Sequence, residues 1–144
     1  MPTPDTELSW NAAVIADFRA NGGQVTKGRL AGANLLLLTT IGAKSGQPRT
    51  APLGYTRDGD RYVVVSSNSG GSEHSTWYGN VLADPNVTVE VGTDRFAAVA
   101  RVTEGDELRR LLDAHIAAIP QFGIYETMTE RVLPVVVIER VEPD

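Results

Sequence analysis

The 144 residues include no cysteine, two histidines, and no acidic side chain between Phe18 and Arg57. The first absence excludes disulfides, thiolate metal sites and cysteine nucleophiles. The second leaves His74 and His115 as the only imidazoles, without His-x-x-x-His or similar spacing, so no metal is expected. Long apolar runs are missing too. Nothing approaches the roughly 18 apolar residues of a membrane-spanning helix, and the opening MPTPDTELSW has neither a basic region nor an apolar core. A soluble, cytoplasmic protein follows as the expectation, with at most a weak peripheral contact to a membrane.

The third absence is local. The chain is acidic overall, with 18 Asp and Glu against 13 Lys and Arg. Yet Arg19, Lys27, Arg29, Lys44, Arg49 and Arg57 all fall in the acid-free stretch, six of the 13 basic residues. Solvated surfaces usually mix their signs. One-sign charge on a chain of opposite sign points to a local anion site, not to a nucleic-acid surface. Chance clustering of surface charge is the plainer alternative.

What is present is organised around Leu35–Thr50, LLLLTTIGAKSGQPRT. Four leucines and two threonines read as a core strand, broken at Ile41-Gly42-Ala43 and resumed at Gln47-Pro48-Arg49. Lys44, the Ser45 hydroxyl, the Gly46 amide and Arg49 fall within six residues at the strand mouth. Fixed cations beside a glycine turn favour anions.

Residues 1–7 read as a flexible N-terminus and residues 8–144 as one domain. Leu8–Ala20 has helical spacing in Trp10, Val14 and Phe18, widened by Ala13 and Ile15, and Asn21-Gly22-Gly23 stops it. It is either a core helix or an amphipathic arm over the ligand mouth. Arg49–Thr56 is extended, and Pro52 argues for an edge position or a bulge. Asp58-Gly59 marks a hairpin into Tyr62–Val65. Ser66–Ser72 carries no bulky side chain, so it is a linker or a loop that lets backbone approach a flat ligand. A helix follows from Ser72 or Glu73 to Ala83, then strands at Asn86–Val91 and Arg95–Val102. The next helix starts at Thr103, with Asp106 in a box-like relation, and Pro120 ends it. Pro134–Val141 is the last strand. Six mostly hairpin-linked strands with a few helices give an α+β protein built on a small closed barrel.

Several chemistries are excluded. Ala43 separates Gly42 from Lys44 and position 37 is Leu, so there is no Walker A loop. A Rossmann Gly-x-Gly-x-x-Gly is absent. Ser72, His74 and Ser75 are neighbours with no nucleophile elbow around them. His74 reads as a helix-start polar residue, and His115 as a satisfied core histidine on an apolar stripe. Any catalysis therefore needs a cofactor that carries the reaction, with the protein supplying binding and orientation.

The string TTIGAKSGQPRTAPL, the D-G-D hairpin, the Ser/Gly loop and WYGNVLADPNV together resemble the deazaflavin-dependent nitroreductase family. Its members are split β-barrel, FMN-binding-like oxidoreductases that use coenzyme F420. The resemblance covers about Leu35 to Val141, and several separated motifs in order make it specific. It implies that the turn Lys44–Arg49 holds the cofactor's phosphate and oligoglutamate tail, while the Ser/Gly loop and the W-x-x-N helix flank the ring. The implied cofactor-binding residues are Lys44, Ser45, Gly46, Arg49, Thr50, Pro52, Ser66, Ser67, Asn68, Gly70, Trp77 and Asn80, with Lys27 and Arg29 next. Trp77 reads equally as cofactor wall or as core. Where relatives often carry a second basic residue before the lysine, this chain has Ala43, so the grip is weaker or shifted onto Arg29.

The resemblance further implies hydride transfer to an electron-poor small molecule: a quinone, an activated enone or a nitroaromatic. Ile119, Phe122 and Tyr125, with Tyr55, take the place of the substrate pocket. Ile119 is aliphatic where a tyrosine can occur, which implies a more apolar pocket that suits a lipophilic quinone or enone better than a nitro group. Tyr125 is the candidate proton donor, with solvent as the alternative. Two rivals remain: an FMN-binding oxidoreductase of the same barrel class, and a carrier of deazaflavin or a lipophilic ligand that turns nothing over. Monomer and dimer are not distinguished.

Overall fold

The computed structural model describes residues 4–26, 32, 34–66, 76–127 and 133–141, with backbone alone for 4–11 and 125–126. In chain order the elements are α1 (Pro4–Ala20), β1 (Leu35–Ile41), β2 (Pro48–Gly54), β3 (Thr56–Asp58), β4 (Arg61–Val65), α2 (Thr76–Ala83), β5 (Asn86–Val91), β6 (Asp94–Val102), α3 (Gly105–Ala118), α4 (Gln121–Thr127) and β7 (Val135–Arg140). The expected strand count of six becomes seven. The extended segment 49–56 is not one strand, because it changes partners at Tyr55.

All seven strands form one antiparallel sheet in the order β2-β1-β5-β6-β7-β4-β3. The two edge strands are consecutive in the chain. Gly54 ends one and Thr56 begins the other, with Tyr55 alone between them. Two residue steps span at most about 7 Å, so the sheet must curl until its opposite edges nearly meet. That covalent tie makes a half-barrel of what would otherwise be an open sheet, in the split-barrel α+β architecture expected. Pro52 does sit on an edge strand, where its missing N–H costs no ladder bond.

The leucine run is continuous because β1 is buried on both faces. Leu36 and Leu38 point into the barrel with Val64, Val89, Val136 and Ile138. Leu35 and Leu37 point outward against Val14, Phe18 and Val25, so α1 is a helix packed on the core. Each such side chain contributes roughly 1.5–3 kcal/mol of burial. Ala13 is exposed and adds nothing to that stripe, and the Trp10 side chain lies outside the described residues. α1 starts at Pro4, four residues before the periodic pattern begins. On the far side, Val63, Val65, Val135 and Val137 pack against Leu111 and Leu112 of α3.

Two local expectations change. Asp58 pairs with Arg61 in register, so the hairpin loop is Gly59-Asp60 and the Asp58 carboxylate faces Arg61 and Arg110. Hydrogen bonds from Arg110 and Arg61 hold that carboxyl below its usual range. Thr103 does not cap α3. Its hydroxyl donates to the Val135 carbonyl at 2.9 Å, and the N-cap is Glu104, which makes no side-chain capping bond.

Candidate active site

The β1–β2 turn is held from within and from behind. The Gly42 N–H donates to the Gln47 carbonyl at 2.8 Å, and the Gly46 N–H to the Gly42 carbonyl at 2.9 Å. Gly46 takes φ of 70°, a conformation glycine adopts without strain. Gly42 leaves room of a different kind: a Cβ there would lie 2.6 Å from Ser45 Oγ and 3.2 Å from the Gln47 carbonyl oxygen, so a larger residue would displace Ser45. The Gly46 amide, expected to face an anion, is thus engaged inside the turn. The Gln47 N–H donates to Ser45 Oγ at 3.2 Å, which leaves the Ser45 proton free to be donated outward.

Behind the turn stands Asn80, 5% exposed on α2. Its Nδ2 donates to Thr40 Oγ1 at 3.0 Å, and its Oδ1 accepts the Ala43 N–H at 3.0 Å. Asn80 therefore holds the turn by which Lys44 is presented. Replacing it with leucine of similar volume leaves the Ala43 N–H and the Thr40 hydroxyl without their partner. We expect Asn80→Leu to cost about 1–2 kcal/mol in urea unfolding and to weaken anion binding at the turn several-fold. Unchanged stability would show that water replaces the amide.

Lys44, Ser45, Gly46 and Arg49 are all exposed at this mouth. Arg19, Arg61, Arg101, Arg109, Arg110 and Arg140 each have an acidic partner within salt-bridge distance. Among the described residues Lys44 and Arg49 have none, nor do Arg57 and Arg95. Arg57 lies 4.4 Å above the Tyr62 ring. The mouth accordingly offers two uncompensated cations and a hydroxyl donor to a ligand.

The remaining expected residues divide. Thr50 pairs with Thr39 across the strands, their hydroxyls 2.8 Å apart. Pro52 stands opposite Leu37. Ser66 is fully buried and its N–H donates to the Pro134 carbonyl at 2.9 Å. Trp77 is 7% exposed and belongs to the barrel interior, edge-on to Tyr78. Lys27, Arg29, Ser67, Asn68 and Gly70 lie outside the described residues, as does the His74 side chain.

At the other end of β2, Ile119 and Phe122 come together over Gly54. A Cβ on Gly54 would lie 3.6 Å from Ile119 Cδ1 and 4.0 Å from Phe122 Cε2. Tyr55 does not join them. Its ring turns to the opposite face, edge-on to Tyr62 at 5.6 Å, with Phe96 beyond. Tyr125 lies on α4, its side chain outside the described residues.

Sequence reasoning missed His115 and Thr56. His115 is fully buried, its Nδ1 2.9 Å from Thr56 Oγ1 and its ring 4.4 Å from Phe122 at 82°. Nε2 has no partner among the described residues, so this histidine is only half satisfied. Burial pushes its pKa down to about 4, and the ring is neutral at physiological pH. The available signal was a polar residue on the apolar stripe of α3 four residues before Ile119.

A cleft of about 220 Å³ lies at the β5–β6 hairpin, lined by Phe18, Arg19, Glu90 and Arg95 among others. It is away from the cationic turn, at the opposite end of β1. The Arg19 and Glu90 side chains there hold each other in a two-bond pair at 3.0 and 2.8 Å.

The sequence model of the F420H2-dependent quinone reductase family matches residues 10–140. The chain belongs to that family. An F420H2-dependent quinone reductase of Mycobacterium tuberculosis (strain H37Rv) is 37% identical over 131 residues, covering 87% of this chain and 86% of its own. A solved F420-H2 dependent reductase superposes with a TM-score of 0.69 at 36% identity, over 74% of this chain and 94% of that one. A second solved structure, described as a domain-swapped dimer, gives a TM-score of 0.70 at 31% identity, over 95% of this chain and all of the other. The curled antiparallel half-barrel is therefore the architecture of F420H2-dependent reductases.

Proposed function

We propose that the chain reduces a lipophilic quinone or enone with F420H2. Membership of the F420H2-dependent quinone reductase family makes it an F420-dependent reductase with coenzyme F420 as cofactor. The observation that carries the residue-level reading is the pair of uncompensated cations, Lys44 and Arg49, at one end of β2, with the apolar pair Ile119 and Phe122 at the other. Seven residues of strand separate the two ends by about 20 Å. A long ligand with a multiply charged tail and an uncharged ring suits both.

Lys44, Arg49 and the Ser45 hydroxyl would hold the phosphate and carboxylates of the tail, with Asn80 holding the turn behind them. The bound group supplies a hydride from its reduced ring, which with one proton converts a quinone to a hydroquinone. Ile119 and Phe122 exclude water from the acceptor side. With Ile119 aliphatic, position 119 offers no hydroxyl to orient a nitro group, which favours quinones and enones over nitroaromatics. Tyr125 is the proton donor of this reading, and Tyr125→Phe should slow turnover several-fold; an unchanged rate assigns the proton to solvent.

Among the described residues no helix is long and apolar enough to cross a membrane. A lipophilic acceptor would reach the site at a membrane surface through weak peripheral contact. The domain-swapped arrangement of the 31% identical neighbour makes dimer formation worth measuring by sedimentation.

The deciding experiment mixes protein, F420H2 and a naphthoquinone, and follows deazaflavin absorbance. Reoxidation that depends on both protein and quinone supports the reading. Tight F420H2 binding without reoxidation would leave a carrier, and binding of FMN in its place would leave a flavoprotein.

A further inference from the structure

We infer that His115 is a positioning residue of the acceptor pocket, setting α4 against the seam where the two sheet edges meet. The inference rests on the reading that Ile119 and Phe122 line that pocket. His115 reaches the seam through Nδ1, 2.9 Å from the hydroxyl of Thr56, the first residue after the Tyr55 break. It reaches α4 through its ring, which stands edge-on to Phe122 at 4.4 Å, while its backbone carbonyl accepts the N–H of Ile119, the residue that caps α3, at 2.8 Å.

The link from α3 to α4 is short and internally bonded. The Phe122 N–H donates to the Ile119 carbonyl at 3.1 Å, and the Gly123 N–H to the Pro120 carbonyl at 3.0 Å. Gly123 lets α4 close on α3, since a Cβ there would stand 3.1 Å from Ile116 Cγ2. Two backbone bonds thus tie residues 119–123 together, and the lateral placement of that unit depends on what its first turn leans on. His115 is the polar part of that support, beside the apolar cluster against which Phe122 also packs.

Core filling alone does not account for the residue. Leu111 and Leu112 on the same helix are buried apolar side chains, and a phenylalanine would fill the same space without a buried Nε2 that has no partner among the described residues. An orphaned polar atom in an apolar cluster costs free energy. What the imidazole adds is direction: the bond to Thr56 fixes the ring about its own axis, and the ring then fixes the Phe122 face.

The test compares Thr56→Val, His115→Phe, the double variant and His115→Asn, whose amide can still reach the Thr56 hydroxyl. Each is assayed with F420H2 and a naphthoquinone. The quinone KM should rise about fivefold or more in Thr56→Val and His115→Phe, with kcat and F420H2 affinity within twofold of the parent. The double variant should be no worse than the worse single one, because both remove the same bond, and His115→Asn should recover part of the loss. A merely structural role would lower the thermal midpoint and leave KM in place. The inference is overturned by an unmoved KM in variants that remain folded, or by additive effects in the double variant. Phe122→Ala separates the two levels. If it raises KM while the His115 variants do not, only this inference falls; if Phe122→Ala also leaves KM unmoved, the pocket reading falls and takes this one with it.

Discussion

Neutralising Lys44 and Arg49 together should weaken F420 binding about 100-fold at low salt, and each single change about tenfold. A charge-assisted contact to a phosphate or carboxylate is worth roughly 1.5 kcal/mol or more at a site with no competing acid, which is about a factor of ten each. One feature of the mouth supports so large an effect, and a second makes it depend on salt. Neither cation has an acidic partner among the described residues, so no internal ion pair must break before the ligand binds. Both are exposed, so screening shortens their reach from about 10 Å at 0.1 M salt to about 3 Å at 1 M. Fluorescence titration of F420 across a salt series should show parent affinity falling steeply with salt, and the double alanine variant nearly flat. Arg109→Ala is the control, because that guanidinium is paired with Asp113 on α3 and should leave affinity unchanged. Unaltered affinity in the double variant would remove the tail from this turn.

The second large effect is on folding. Between pH 7 and pH 4 the buried His115 should cost the folded state about 3 kcal/mol. In the unfolded chain an imidazole takes up its proton near 6.5, whereas in the fold burial delays protonation of His115 to about 4. Below 6.5 the unfolded state therefore binds one more proton, and stability falls with pH until both states are protonated. The contribution is complete above 6.5 and gone by about 4. The carboxyls of Glu90, Asp58 and Glu107, lowered mainly by their arginine hydrogen bonds, begin to lose their contribution only as the pH falls into the ordinary carboxylate range. The interval from 6.5 to 5 thus isolates the histidine, with a loss of about 2 kcal/mol there. Urea midpoints measured at pH 7, 6 and 5 should fall for the parent and stay level for His115→Phe. A parent curve that is flat over that interval would show that water solvates Nε2.

The two predictions concern residues that differed in how readily their sequence context disclosed them. The turn was legible because its signals are local. Leu35–Leu38 suits a core strand better than a helix, glycines flank the bend, and six cations without a single acid point to an anionic partner. The family motifs run through the same stretch, so resemblance and residue chemistry agreed there. His115 was legible only as a polar residue on an apolar stripe. Whether its nitrogens find partners depends on Thr56, 59 positions away, which no local pattern records. Trp77 was equally open from the sequence, and packing with Val81 and the barrel valines placed it in the interior.

Local chemistry by itself determined most of the strands, the edge or bulge position that suits Pro52, and the exposed cations after Ile41. Tertiary structure alone decided three things. It split the segment after Arg49 at Tyr55, because one residue had to join the two free edges of a curled sheet. It turned the Gly46 amide inward and set Asn80 behind the turn, a contact across 37 residues. It also brought Ile119 and Phe122 to Gly54 while sending Tyr55 to the opposite face. The common reason is that strand propensity, turn chemistry and charge act between neighbours in the chain, whereas a hydrogen-bond partner or ring contact depends on how the curled sheet brings distant segments together.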